Sequence, residues 1–307
     1  MWAADIDVDA ELARRLIAAQ FPDLRGASVE PAGSGWDNAA FLVDGELLFR
    51  FPRRRIAAPL IERELALLPS IAPRVPLPIS VPAFAGVPAE AYPWSFAGYR
   101  KIAGVTACAL ALADAERAAL AEPLGAFLRA LHGIDPAPLV ARGLPPDELG
   151  WLDHAKRLGV SRERLPVLSA AGAEVVDRAR ELVDWLAANP PGRVPESGRA
   201  VVHGDLYARH VILCDGALAG IIDWGDVHHG DPALDLAIAH LMLPQFAHAR
   251  FRAAYGPIDD RTWSAARYRA IYHAILELDY GIRTGDAGMR DIGAAALRSM
   301  RGAAHDD

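Results

Sequence analysis

The sequence predicts an α+β protein in which a strand-rich, mainly antiparallel region comes first and a larger, mainly helical region follows. An Asp44-Gly45 hairpin signal separates two apolar runs at 39–43 and 46–51. Apolar residues recur at helical spacing over long stretches beyond residue 104. The length of 307 residues suits one large or two medium domains, and we place the boundary after residue 103.

The first region has two predicted helices. One spans residues 9–21 with Asp9 as its N-cap, and the other spans residues 58–68. The proline-rich stretch 69–93 predicts edge strands and connectors, because proline ends helices and cannot donate to a sheet. Residues 94–104 are expected to form a last strand that runs into a hinge.

The second region is predicted to be helical except for a central stretch at residues 200–236. Within the first of its helices Pro123 is expected to cause a kink, and His132 is expected to cap the C-terminus. The predicted helices are 114–132, 151–164, 170–188, 236–243 and 259–284.

The central stretch carries the chemistry. Asp205 and His210 precede an apolar run, Asp215-Gly216 is a hairpin signal, and Asp223 ends the return strand. A hairpin brings its two ends together, so we expect the three polar side chains to converge. Carboxylates suit Mg²⁺, whose remaining ligands are usually water and substrate phosphates. A carboxylate free of metal can orient or deprotonate a hydroxyl group.

The ordered motifs His203-Gly204-Asp205-Leu206, Ile222-Asp223-Trp224 and Gly230-Asp231-Pro232-Ala233-Leu234-Asp235-Leu236 resemble those of the aminoglycoside phosphotransferase family. The resemblance implies a two-lobed, protein-kinase-like fold. It also implies that Asp205 is the catalytic base, that Asp223 binds metal, and that the third motif braces the first.

The same resemblance implies a nucleotide site in the first region. Ser34 and Gly35 lie in a loop of small residues whose backbone N–H groups can approach phosphates, although such loops are often plain turns. Arg50 occupies the position of the family's phosphate-binding cation, with an exposed arginine at the end of a strand as the alternative. Glu64 matches the family's acidic partner of that cation, and Glu62 is its competitor.

From Arg100 to Ile102 the backbone is expected to bind the purine edge of ATP or GTP, again from the resemblance. The implied reaction transfers the γ-phosphate to a hydroxyl of an antibiotic (aminoglycoside, macrolide or peptide) or of a similar metabolite. In such enzymes late helices line the acceptor pocket, which makes Glu277 and Asp279 candidate acceptor residues. The alternative for both is a solvated helix face.

Two departures from the family pattern keep other functions open. His210 stands where the family has a metal-binding Asn, which leaves three roles open: a metal ligand, a hydrogen-bond donor to phosphate, or a sign of weakened catalysis. As a ligand, imidazole suits Mn²⁺ or Zn²⁺ better than Mg²⁺. Arg50 stands where Lys is usual. A nucleotide-binding pseudokinase without catalysis is therefore one alternative. A metal-dependent hydrolase is another, because residues 203–231 are rich in His and Asp, including Asp226.

Composition limits the kinds of molecule that the protein is expected to bind. The formal net charge is −7 and no basic stripe stands out, so we expect a nucleotide and a small hydroxylated acceptor rather than nucleic acid. Cys108 and Cys214 are expected to be reduced thiols. The start of the chain does not resemble a signal peptide, and no apolar run reaches the roughly 18–20 residues of a membrane helix. These features favour a cytoplasmic protein with no membrane partner.

Overall fold

The strand-rich region contains one antiparallel sheet of five strands. They are β1 (Val29–Ser34), β2 (Asn38–Val43), β3 (Leu47–Pro52), β4 (Pro82–Gly86) and β5 (Phe96–Arg100), in the order β1-β2-β3-β5-β4. The structure is a computed structural model that describes residues 4–34, 37–192, 194–195 and 198–300, with the Ser34 side chain excluded. The predicted hairpin is confirmed, since Asp44 and Gly45 adopt φ values of 47° and 73° between β2 and β3.

One face of this sheet packs on helix α1 (Ala10–Gln20). Burial alternates along β2 and β3, which places Phe41, Phe49 and Phe51 together against the helix. The predicted cap is confirmed, because Asp9 Oδ1 accepts a 2.7 Å hydrogen bond from the backbone of Leu12. This aromatic core fixes the strand that carries Arg50.

The second helix, α2 (Ala58–Ile71), carries Glu64 and packs on β4 and β5. The predicted end at residue 68 is wrong, because Pro69 lies inside the helix. Proline at this position removes only one hydrogen bond near the helix end, and burial of Leu67, Leu68 and Ile71 offsets that loss. As predicted, β4 within the proline-rich stretch is an edge strand.

Two small sheets build the central stretch. β7 (Ala200–Val202) pairs with β10 (His228–Gly230), and β8 (Val211–Cys214) pairs with β6 (Val105–Thr106) and with β9 (Ala217–Ile221). The hairpin between β8 and β9 is confirmed, since Asp215 and Gly216 adopt φ values of 50° and 78°. The loop after β7 and the residue beyond β9 are thereby brought together.

Helices form the rest of the second region. The single helix predicted for 114–132 is instead two helices that meet at Leu120. Pro123 lies in the first turn of the second helix, where its missing N–H costs nothing, rather than at a kink. The helix predicted from residue 151 begins at His154. The helices are α3 (Asp114–Ala119), α4 (Ala121–His132), α5 (Ala137–Val140), α6 (His154–Arg164), α7 (Ala173–Ala188), α8 (Ala233–Met242), α9 (His248–Tyr255), α10 (Asp260–Thr284) and α11 (Ala287–Ser299).

The two regions share a core. The buried end of α2 packs with α4, α8 and β8 in one hydrophobic cluster. The backbone also connects them, since Ile221 N–H donates to the Pro78 carbonyl at 3.1 Å. The strand-rich and helical regions confirm the predicted fold class, while the boundary after residue 103 stays a prediction. Among the described residues, no helix is long and apolar enough to cross a membrane.

Candidate active site

A buried carboxylate shapes the loop that carries Asp205. Asp235, in the first turn of α8, accepts hydrogen bonds from the backbone N–H groups of His203 at 2.7 Å and Gly204 at 2.9 Å. It also pairs with His132 Nε2 at 3.1 Å. Asp235 of the third motif therefore supports the Asp205 loop, as the family resemblance implies. His132 does not cap its helix as predicted, because its ring bonds to Asp235 and to the Tyr255 hydroxyl.

The charge of Asp235 is stabilised where it lies. Burial alone would raise the pKa of its carboxyl group, but the hydrogen bond from His132 and those from the loop backbone more than offset burial, so the pKa is lowered. An ionised acceptor strengthens the two backbone hydrogen bonds. Gly204 is required in this loop, because its φ is +86° and a Cβ there would lie 2.5 Å from the Asp226 carbonyl oxygen.

His203 links the loop to the return strand. Its Nε2 lies 3.0 Å from the Ile222 carbonyl oxygen, and its Nδ1 accepts from the Asp205 backbone N–H at 3.3 Å. A carbonyl can only accept, so Nε2 carries the proton. Burial lowers the pKa of the ring, which is consistent with this neutral form. Both nitrogens of His203 are thus engaged in holding the site's backbone.

Asp205 lies at the centre of a polar cluster with its side chain 23% exposed. Arg269 Nη2 is 3.4 Å from Oδ1, and His273 Nδ1 is 3.9 Å from the same oxygen. On the other side His210 Nδ1 lies 3.9 Å from Oδ2. The carboxylate is therefore held mainly at one oxygen and remains partly accessible.

Asp223 stands beside this cluster in a left-handed conformation, with φ of +62°. Its Oδ1 accepts a 2.7 Å hydrogen bond from Arg50 Nη2, and its Oδ2 lies 3.4 Å from His210 Nε2. Desolvation would raise the pKa of Asp223, but the positive charge and hydrogen bond of Arg50 hold it well below its ordinary value. The hairpin therefore brings Asp205, His210 and Asp223 together with Asp223 ionised.

His210 is oriented by the loop itself. Its Nδ1 lies 2.7 Å from the Asp205 carbonyl oxygen, so this nitrogen donates. In the neutral ring Nε2 is then an acceptor that faces Asp223 Oδ2. A nitrogen and an oxygen lone pair directed at each other suit a cation between them. No group of three or more potential metal ligands occurs among the described residues, so such a cation needs ligands from substrate and water.

Arg50 joins the two regions. Its Nη1 donates to Glu64 Oε1 at 2.9 Å while Nη2 binds Asp223, and Tyr99 donates to the other oxygen of Glu64 at 2.6 Å. Burial raises the pKa of Glu64, while Arg50 opposes the rise. Glu64 rather than Glu62 is thus the partner of Arg50, because Glu62 lies on the exposed face of α2 with Ser95.

The remaining nucleotide candidates lie along the sheet. Ser34 ends β1, and Gly35 lies outside the described residues. Arg100 ends β5 with an exposed side chain, in register with Leu47 of β3. Ile102 packs over Gly220, where a Cβ would come within 2.8 Å of its side chain. The structure thus places the predicted hinge where the large sheet meets the small one.

The two acceptor candidates on α10 lie in different surroundings. The side chain of Glu277 is 3% exposed, and neither of its oxygens has a hydrogen bond within the described part of the chain. Burial and then Asp205 raise its pKa to about 8. The side chain of Asp279, 7% exposed, is paired with Arg164 at 3.3 Å and Arg283 at 2.8 Å. The solvated-face alternative is therefore wrong for both, and only Glu277 belongs to the cluster around Asp205.

The sequence interpretation missed two residues of this cluster. Arg269 and His273 precede Glu277 at intervals of four on α10, a spacing that places all three on one helix face. That spacing was the available signal. Asp226, which the sequence connects only with the hydrolase alternative, also belongs to this cluster, because burial, Asp205 and Asp223 raise its pKa to about 7. Burial lowers the pKa of His273 to about 3, so its ring is neutral.

The strand region carries a buried Arg–Glu pair, and the helical region carries two convergent aspartates. Together these features define a kinase-like phosphotransferase. The sequence profile of the phosphotransferase enzyme family matches residues 28–269. The chain belongs to that family. The expected family resemblance is therefore confirmed.

Individual relatives show the same likeness. Viomycin phosphotransferase from Streptomyces vinaceus is 34% identical over 142 residues. That match covers 44% of this chain and 45% of the relative, so it spans less than half the length of the viomycin enzyme.

Solved structures resemble the whole chain. The GDP complex of wild-type aminoglycoside 2'-phosphotransferase-IIIa superposes with a TM-score of 0.69 at 24% identity, covering 95% of this chain and 98% of that one. A macrolide 2'-phosphotransferase from Brachybacterium faecium superposes with a TM-score of 0.59 at 21% identity, covering 95% and 99%. At these identities the likeness shows the fold.

Proposed function

We propose that the protein is a small-molecule kinase that transfers the γ-phosphate of ATP or GTP to a hydroxyl group, with Asp205 as catalytic base. The observation that carries this proposal is the convergence of a partly accessible Asp205 with an ionised Asp223 that binds Arg50. A base and a separate carboxylate for metal are the two parts that phosphoryl transfer needs from this region.

In the proposed reaction the acceptor oxygen bonds to the γ-phosphorus as the bond from that phosphorus to the bridging oxygen breaks. Asp205 takes the proton of the hydroxyl, and the nucleoside diphosphate leaves. One oxygen of Asp205 is 3.4 Å from Arg269, which leaves the other to orient the acceptor. Catalysis then rests mainly on positioning and on neutralising charge.

Nucleotide binding is assigned to the strand region. The backbone at Ser34 and Gly35 would contact phosphates, and the backbone from Arg100 to Ile102 would bind the purine edge. Arg50, held by buried Glu64, would support the α- and β-phosphates with the N–H groups that its two carboxylate partners leave open. The GDP complex of the aminoglycoside 2'-phosphotransferase supports a nucleotide in this fold.

Asp223 and His210 fit a divalent cation, because an ionised oxygen and an imidazole acceptor face each other at 3.4 Å. A bound Mg²⁺ or Mn²⁺ would neutralise the phosphate oxygens. Mn²⁺ suits the imidazole better than Mg²⁺ does. His210 and Asp223 would hold the ion, while the Nδ1 hydrogen bond keeps the imidazole acceptor directed at it.

The acceptor is assigned to the α10 side of Asp205. Within the described part of the chain, the two buried oxygens of Glu277 accept no hydrogen bond, which suits an acceptor that carries hydrogen-bond donors or a positive charge near its hydroxyl. Hydroxylated antibiotics have such groups, and viomycin, aminoglycoside and macrolide kinases are among the similar proteins. Asp279 remains an acceptor candidate only if its two arginine partners release it.

The alternatives have less support. In the hydrolase alternative the His-rich segment would bind Zn²⁺, but both nitrogens of His203 are engaged, and no group of three or more potential metal ligands occurs in the described part of the chain. The pseudokinase reading rests on His210 and Arg50. Arg50 keeps the acidic partner that its role requires, and His210 directs its Nε2 at Asp223.

The test is acceptor-dependent release of nucleoside diphosphate by the purified protein. ATP and GTP, Mg²⁺ and Mn²⁺, and a panel of aminoglycosides, macrolides and viomycin-type peptides would be compared. We expect one acceptor class to stimulate release, and Asp205→Asn to abolish it. Asp215→Asn is the matched control, because Asp215 lies in an exposed hairpin turn whose left-handed conformation asparagine tolerates.

Two results would contradict the proposal. Turnover that survives in Asp205→Asn would remove Asp205 as the base. Nucleotide binding without stimulation by any acceptor would favour the pseudokinase, and substitution of His210 by Asn would then show whether the imidazole prevents turnover.

A further inference from the structure

Resting on the proposed kinase function, we propose that Arg269 is a positioning residue for Asp205. Its guanidinium holds Oδ1 of the carboxylate, so that Oδ2 is presented to the acceptor hydroxyl. The side chain of Arg269 is 2% exposed, and its Nη2 lies 3.4 Å from Oδ1. Arg269 is 64 residues from Asp205 in sequence and reaches it from α10.

The guanidinium of Arg269 is itself held in place by aromatic rings. It lies over the Trp151 ring at 4.2 Å, and Arg157 lies over the same ring at 4.6 Å. Arg157 in turn donates to the Tyr272 hydroxyl at 2.9 Å and to the Gly150 carbonyl. Trp151 therefore stacks with two arginines, one anchored to the backbone and the other directed at Asp205.

Charge explains why a buried cation is needed here. Asp205 shares its surroundings with Glu277, Asp226 and Asp223, and carboxylates held together repel one another. Burial of an arginine is costly unless a specific partner compensates for it. Among the described residues, the acid that pairs with this guanidinium is Asp205, at 3.4 Å.

A purely structural arginine would be expected to saturate its donors. Nη1 of Arg269 is buried and has no hydrogen-bond partner within the described residues. Arg157, in the same stack, instead donates from all three of its nitrogens to protein oxygens. The open donor of Arg269 is thus consistent with a residue arranged for a site rather than for folding alone.

The contact is tested by a double-mutant cycle in urea unfolding, with Asp205→Asn, Arg269→Gln and the double variant of the full chain. We expect the change in the stability of the double variant to differ clearly from the sum of the two single changes. Additive changes would show that the two side chains do not interact and would overturn the proposal. This arm requires no activity.

The positioning role is tested by steady-state kinetics. Arg269→Gln is expected to lower kcat about 100-fold, the scale of a small misplacement of a reacting group, with the KM for nucleotide nearly unchanged. Arg269→Lys should recover part of the loss, because it keeps the charge but not the planar fork. The matched control is Arg267→Gln, which removes another buried arginine of α10 that stacks on Trp185 at 4.5 Å.

The outcomes separate the two proposals. If the cycle shows coupling but kcat is unchanged in Arg269→Gln, the ion pair is structural and the positioning role is wrong. If Arg267→Gln loses kcat equally, general destabilisation explains the loss and the role is again wrong. If the unmodified protein shows no acceptor-dependent turnover, the proposed function fails and the positioning role fails with it, while the cycle still reports the contact.

Discussion

Replacement of Glu277 by Gln is expected to stabilise the protein at pH 8 but not at pH 5. Burial and the neighbouring Asp205 raise the pKa of Glu277 from its ordinary value of 4.5 to about 8. In the unfolded chain the group loses its proton near its ordinary pKa, whereas in the folded chain it keeps the proton until about pH 8. Between these values the unfolded state binds fewer protons, so stability falls as the pH rises.

The size of the effect follows from the same two values. Each tenfold change in an acid dissociation constant is worth about 1.4 kcal/mol, so the full difference is roughly 4 to 5 kcal/mol. This is an upper bound, since charged neighbours readjust as Glu277 ionises. Glutamine resembles the protonated acid in size and lacks its ionisation. Glu277→Gln should therefore change the free energy of unfolding by near zero at pH 5 and raise it by about 2 to 4 kcal/mol at pH 8.

The assay is urea unfolding of both proteins at the two pH values. Asp279→Asn is the matched control on the same helix, because it removes a buried carboxylate that is paired with Arg164 and Arg283. We expect that variant to be destabilised at both pH values, since Arg164 and Arg283 lose the buried carboxylate with which they pair. An equal effect of Glu277→Gln at pH 5 and pH 8 would refute the assigned environment of Glu277.

Three further substitutions test the site's framework. Asp235→Asn should lower the free energy of unfolding by about 2 to 4 kcal/mol and reduce kcat, because the charge-assisted hydrogen bonds to the Asp205 loop are lost. Urea unfolding would measure the first effect, and initial rates would measure the second. Gly204→Ala should reduce kcat about 100-fold by displacing the loop, whereas Gly216→Ala, at an open turn, should cost only about 1 kcal/mol of stability and leave kcat intact. Arg50→Lys should raise the KM for nucleotide about tenfold, because one ammonium group cannot replace the guanidinium that bridges Glu64 and Asp223. Kinetics at varied nucleotide concentration would measure this KM, and an unchanged value would contradict the role of Arg50.

Local signals in the sequence were sufficient for much of this architecture. Asp44-Gly45 and Asp215-Gly216 marked their hairpins because the left-handed conformations of those turns depend on the residues themselves. The second hairpin then determined that Asp223 returns to the loop of Asp205. Glu62 and Glu64 are two residues apart, and this spacing places them on different faces of α2. Only Glu64 faces Arg50.

Tertiary packing decided what the sequence could not predict. Whether Glu277 or Asp279 reaches Asp205 depends on how α10 rotates against its neighbours, and that rotation is set by packing against α8 and α11. The contact of Arg269 with Asp205 joins positions 64 residues apart through the same packing. The extension of α2 past Pro69 likewise depends on a core that the helix shares with the second region.

The most direct test of the central claim follows the phosphate itself. The protein would be incubated with nucleotide labelled at the γ-phosphate and with the acceptor that best stimulates diphosphate release, and the acceptor would be recovered and analysed by mass spectrometry. Phosphoryl transfer predicts an acceptor that carries one labelled phosphoryl group on a hydroxyl oxygen, and none with Asp205→Asn. Label recovered only as inorganic phosphate, with the acceptor unmodified, would contradict a kinase and identify a nucleotide hydrolase instead.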